Sequence, residues 1–231
     1  MGGGAAAVVM TSSSPRRALA VDGTAIGRAA VTAPTTGAAT TTGSPATTVP
    51  TPTTDVGSLP QTGSFPTSTS PAFQAEMAAL WQGVVSGSPA VARAAFFPES
   101  AYLQLKTIAG PESDYSNRLL ADFAADLDAA HALLGQDAGT ASFVSVNVPE
   151  QYGHWVPPRV CDNSVGYYQV ANSRVVYQVD GQVRSFGIAS LISWRGEWYI
   201  VHLGAILRPT SQGTVEDPET GPGSSSDSTT C

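Results

Sequence analysis

Histidines, cysteines and aspartates are the side chains from which this chain could build chemistry, and their spacing narrows what they could do. His131 falls at the edge of an apolar helical stripe, beside Leu127 and Leu134, where it could reach into a cavity beneath the helices or simply favour the C-terminal end of its own helix. His202 falls mid-strand between Ile200 and Gly204, where the choices are a base or a satisfied interface histidine. His154, beside Trp155 in a loop bounded by Gly and Pro, reads as a surface residue. Proton abstraction would need one of these bases in an apolar cavity, with a tyrosine or acid opposite to hold the developing oxyanion. Tyr177 and Tyr199 could donate, although core tyrosines usually find local partners. Asp122, Asp126 and Asp128 are expected to project from the polar side of their helix, with Arg118 four residues before Asp122 at the spacing of a surface ion pair.

No Cys-x-x-Cys, His-x-x-x-His or Glu-x-x-His spacing is present, so no metal site is expected. Gly-x-Ser-x-Gly, phosphate-loop and dinucleotide fingerprints are missing too, and no cofactor is expected. Asp162-Asn163 after Pro157-Pro158 reads as turn chemistry. Of the two cysteines, Cys161 lies in the predicted domain and Cys231 is the final residue. A disulfide between them would have to draw a tail back onto the core. The expectation is therefore a free Cys161 behaving as a small hydrophobe.

The elements that must position these groups end in a meander. Residues 175–179, 182–194 and 197–207 are rich in β-branched and aromatic side chains, separated by Asp180-Gly181 and Arg195-Gly196. Two-residue loops would place Val179 opposite Gln182 and Trp194 opposite Glu197, sorting alternate residues onto opposite faces. Val175, Tyr177, Val179, Phe186, Ile188, Ile192, Trp194, Tyr199, Val201, Leu203, Ala205 and Leu207 then make a core face, with Ser190 its main polar member. The second face would carry Leu191, Trp198, Ile200, His202 opposite Ala189, and Ile206, an apolar set that solvent exposure does not explain. More of the same chain, a homodimer surface or a ligand groove could cover it. The expectation taken forward is a contact patch of Leu191, Trp198, Ile200, His202 and Ile206.

Upstream, Ser70-Pro71 and Ser88-Pro89 place hydroxyl caps before prolines. Phe73, Met77, Leu80, Trp81 and Val84 predict a helix from about 71 to 86 stopped by Gly87. A shorter helix is predicted over 91–97, ended by Pro98. A long one opens near 113–116, carries Leu119, Leu120, Phe123, Leu127, Ala130 and Leu134 on one stripe, and closes at Gly135. Residues 102–108 read equally as strand or helix, and 143–148 alternate like a strand. Helices followed by antiparallel strands give an α+β domain with N-terminal helices packed on a curved sheet.

That order and length resemble the cone-shaped α+β fold shared by nuclear transport factor, ketosteroid isomerase and scytalone dehydratase. The run Ser190-Leu-Ile-Ser-Trp-Arg-Gly-Glu-Trp-Tyr-Ile-Val-His-Leu-Gly204, with Cys161-Asp-Asn-Ser-Val-Gly-Tyr-Tyr168 upstream, is similar to uncharacterised envelope-associated proteins of high-GC actinobacteria. The resemblance covers the predicted domain and neither arm, and it implies a helix-covered cavity but no established activity.

Composition sets the boundaries. Every Trp and Tyr, and every Phe except Phe65, lies between Phe73 and Tyr199. Residues 33–70 hold thirteen Thr and six Pro with Asp55 as the sole charge, too little apolar surface to offset ordering. The expected organisation is a disordered arm or stalk over 1–70, a domain over 71–208 and a disordered acidic tail over 209–231. The predicted domain carries twelve acids against eight bases, with Lys106 the only lysine of the chain, which argues against nucleic acid as a partner. Neither the apolar run 5–10 nor the stretch after Arg16-Arg17 matches an export signal, yet a Thr/Pro-rich stalk suits the cell exterior. The sequence thus predicts a secreted or envelope-attached, non-catalytic interaction or ligand-binding module. Its expected partners are a second copy through the second sheet face, an envelope protein or a small apolar ligand. The alternative is a small-molecule isomerase or lyase using His131 or His202 as base.

Overall fold

The computed structural model describes residues 54–208 and 211–227, all within the unit Thr51–Cys231. The expectation of a disordered arm over residues 1–53 lies outside the described residues. Helix α1 (Pro71–Ser86) begins where the Ser70 side chain accepts from the Phe73 amide, and it stops at Gly87 in the left-handed conformation. Two short helices come next, α2 (Pro89–Ala92) and α3 (Glu99–Leu105), the latter deciding the ambiguous stretch in favour of helix. A single turn, α4 (Pro111–Asp114), runs through a π-helical turn at Tyr115–Leu119 into α5 (Leu120–Leu134). Such wider turns recur beside functional sites.

The strands are β1 (Ser142–Asn147), β2 (His154–Val156), β3 (Tyr167–Val179), β4 (Gln182–Trp194), β5 (Glu197–His202) and β6 (Glu216–Thr220). They form one open antiparallel sheet: β1 and β2 both pair with β3, β3 with β4, and β5 and β6 both pair with β4. Both hairpins have the expected register, Val179 opposite Gln182 and Trp194 opposite Glu197. Asp180, Gly181, Arg195 and Gly196 all have positive φ, as tight primed turns require. Arg195 tolerates that conformation with its amide held at 2.6 Å by Gln61 Oε1.

The helices cover the predicted core face. Trp81 lies 5.5 Å from Tyr177, and Phe97 stands edge-on to Trp194 and Tyr199 at 6.0 and 6.1 Å. The second face is closed by segments expected to be free arms. Phe65 stands edge-on to Tyr168 at 4.8 Å and to Trp198 at 5.9 Å, and Gln61 Nε2 donates to Ser193 O at 2.9 Å; on the core face, Trp194 Nε1 donates to Val56 O at 3.3 Å. Residues 54–70 therefore belong to the fold.

So do residues 211–227. β6 pairs with β4, Arg174 Nη2 donates to Ser185 Oγ at 2.8 Å and to Asp217 O at 2.7 Å, and Asn172 Nδ2 donates to Ser226 Oγ at 3.0 Å. The acidic composition that suggested a tail instead suits an edge strand, with Pro218 interrupting the donors that a further strand would use.

Asp126 is the largest departure from the polar-face expectation for the α5 aspartates. It is 1 % exposed and accepts from Gly204 N (2.9 Å), Thr214 N (2.9 Å), Arg208 Nη1 (2.8 Å) and Arg208 Nη2 (2.8 Å). A carboxylate offers about four lone-pair sites, and here they are filled. Any side chain at Gly204 would collide with Thr214 and Asp126, so glycine is required for the approach. Asp126→Ala would strand the Arg208 charge; a loss of about 3–5 kcal/mol is expected from urea unfolding, against a small change for exposed Asp128→Ala.

Glu76 on α1 supplies a pH dependence. Burial, reinforced by the nearby Glu197 carboxylate, pushes its carboxyl from the ordinary 4.5 up to about 8. Between those values the native protein holds a proton that the unfolded chain has released, so stability falls as pH rises from 4.5 through 8. Glu76→Gln should flatten that decline in the melting temperature, leaving the acid side of the curve unchanged.

Candidate functional site

A cavity of about 310 Å3 lies between α3, the π-helical turn and the β3–β5 end of the sheet. Its helical wall carries Tyr102, Leu105, Lys106, Arg118 and Leu119, and its sheet wall carries Gln169, Ser190, Ile192, Val201 and His202. The 159–163 loop closes one side, stitched to the end of α3 by Thr107 N to Asp162 O at 2.8 Å and Ser164 N to Leu105 O at 2.7 Å. Ile206 and the exposed Leu207 line the mouth.

His202 reaches this cavity because of a β-bulge. Leu191 pairs with Ile200, but Ser190 pairs with His202, so Val201 is an extra residue. Past the bulge the alternation shifts by one, and His202 leaves the second face, where it was expected opposite Ala189, to join Ser190 on the cavity side. Among the described residues its ring nitrogens have no hydrogen-bond partner. Burial, followed by the charges of Arg118, Arg208 and Lys106, pushes the imidazole down to about 4, with Asp126 acting in the opposite direction. It is a neutral ring at neutral pH.

The opposite wall is polar and cationic. Arg118 Nε and Nη2 donate to Asp114 Oδ1 and Oδ2 at 2.6 and 2.5 Å, and Tyr102 O–H donates to the same carboxylate. Burial and the Asp114 carboxylate raise the Tyr102 phenol, so it remains a donor. Lys106 Nζ donates to Cys161 O at 2.8 Å, and burial lowers its pKa despite Asp162 nearby. Gln169 Nε2 donates to Ser190 Oγ at 3.1 Å. Among the described residues no carboxylate lines the cavity.

The other expected site residues fall elsewhere. Leu191, Trp198 and Ile200 are fully buried in the core, so this part of the predicted contact patch is not a surface. Over Trp198 the cover is Phe65, within residues 54–70. Ile206 is instead at the cavity mouth. His131 lies away from the cavity, with Nδ1 2.8 Å from Val84 O; a carbonyl only accepts, so Nδ1 carries the proton and ties α5 to α1. Cys161 lines the cavity and is disulfide-bonded, which corrects the expected free thiol. Cys231 lies outside the described residues.

Sequence reasoning did not find Tyr102, Lys106 and Arg118 as a group. The i, i+4 spacing from Tyr102 to Lys106 was available, but Arg118 lies in a separate helical segment that only the fold brings to the same cavity. Among the described residues, no group of three or more His, Cys, Asp or Glu could hold a metal, and no helix is long and apolar enough to cross a membrane. Fold and site together define an α+β protein with a cavity held between helices and an open antiparallel sheet. No family model, curated protein or solved structure matches the chain.

A proton NMR titration tests the environment of His202. Its ring resonances should keep their neutral positions through pH 6.5 and move only near pH 4. Ordinary titration near 6.5 would mean that the ring is solvated.

Proposed function

We propose that this protein is a non-catalytic, small-molecule-binding module of the cone-like α+β class, acting outside the cytoplasm. The observation carrying the reading is the 310 Å3 cavity, at the lower end of the range of small-molecule sites, with an apolar floor and a few convergent polar groups. Helices laid on one sheet face with the cavity beneath them support the cone-like class. The disulfide at Cys161 supports an exported or envelope-attached location, because such bonds persist in oxidising compartments.

A second reading, an isomerase or lyase, is favoured by one observation: His202 sits in the cavity with Tyr102 on the facing wall. Two features rank it below binding. A base held at about 4 is poorly matched to neutral pH, and among the described residues no carboxylate lines the cavity to share the work. His131, engaged with Val84 O, takes no part in it.

Native mass spectrometry of full-length protein from its own host should reveal a bound small molecule that is lost on denaturation. Filling the cavity by Val201→Trp should abolish that adduct, and so should Leu207→Trp, which starts from an exposed position at the mouth and preserves the melting temperature. Retention of the adduct by both variants would place the ligand elsewhere and defeat the reading.

A further inference from the structure

One cation on the cavity wall, Lys106, has no ion pair among the described residues. Lys106 is half-buried, and its ammonium has one backbone carbonyl, Cys161 O at 2.8 Å, as its hydrogen-bond acceptor among the described residues. An ammonium has three donors, and burying it without an ionic partner is costly. No carboxylate lies within ion-pair distance of it among the described residues. Asp114, the nearest acid on the helical wall, is engaged by Arg118 in a two-pronged ion pair and also accepts from Tyr102. Asp162 is exposed to solvent, where its field is screened. Facing Lys106 across the cavity are an uncharged imidazole at His202 and the apolar side chains of Ile192 and Val201.

We infer that the cavity binds a monoanionic amphiphile, a medium-chain or small-ring carboxylic acid whose carboxylate sits on Lys106 and whose hydrocarbon part lies against Ile192 and Val201. This rests on the proposed binding role and names the ligand class for it. An anionic head completes the donors of the ammonium and supplies the charge the wall lacks, while the tail removes apolar surface from water. The size agrees: 310 Å3 is room for about ten water-sized groups, so a medium-chain acid fits and a long-chain lipid does not. The downward push on His202 from Arg118, Arg208 and Lys106 is what a cavity of positive potential produces.

The experiment compares octanoate with octanol by calorimetry on the full-length protein. Octanoate should bind at least roughly tenfold more tightly, the order expected for one charge-assisted contact. Lys106→Met keeps the length and apolar stem of the side chain but removes the charge; it should erase the preference while octanol affinity stays within about twofold. Equal binding of acid and alcohol by the wild type would overturn the carboxylate inference but leave the cavity as an apolar binding site. Binding of neither would overturn the cavity reading itself and this inference with it. The wild-type comparison needs no variant, so a poorly folded Lys106→Met would still leave a decisive result.

Discussion

The buried carboxylate of Asp126 is the point on which the architecture turns. One side chain on α5 holds the backbone at Gly204, the guanidinium of Arg208 and the backbone at Thr214, joining a helix to the chain leaving β5 and to the segment that returns as β6. An ion pair withdrawn from water is favourable only when its remaining hydrogen-bonding capacity is met, and here four short bonds meet it. The same pin fixes where the chain passes after His202, and with it the mouth of the cavity at Ile206 and Leu207.

Two interruptions of regular structure shape the cavity from opposite walls. The π-helical turn at Tyr115–Leu119 brings Arg118 and Leu119 inward, and the extra residue in β5 brings Val201 and His202 toward them. Each interruption gives up some regular hydrogen bonding to re-aim side chains that an ideal helix or ribbon would have sent elsewhere. Apolar burial and clustered cations then act together on the imidazole, which stays uncharged, while the lysine on the other wall feels Asp162 and Asp114 only at a distance and forms an ion pair with neither.

The hairpins and the first and last long helices were legible because local chemistry decides them. Asp-Gly and Arg-Gly set positive φ, Ser70 caps α1, and the apolar stripe from Leu119 to Leu134 marks α5. The bulge was not legible, since no glycine or turn residue marks Val201; it is fixed by tertiary contacts, and it moved His202 across the sheet. Asp126 carried a positional signal that its polarity concealed: it lies three residues after Phe123 and four before Ala130, on the buried stripe itself. The segments flanking residues 71–208 misled for a different reason. Their Thr, Pro and acidic composition is too poor in apolar surface to order itself, but Phe65, Gln61 and β6 order on a sheet already built.

That dependence makes Phe65, within residues 54–70, the seal over a large indole. Trp198 is wholly enclosed, with Phe65 against one edge. An expression boundary drawn at residue 71, where helix and hydrophobic periodicity begin, would strip that seal and present Tyr168 and Trp198 to solvent as a sticky aromatic strip. Insolubility of such a fragment would report a missing lid of a few ordered residues and would say nothing against the integrity of the helices and sheet beneath it.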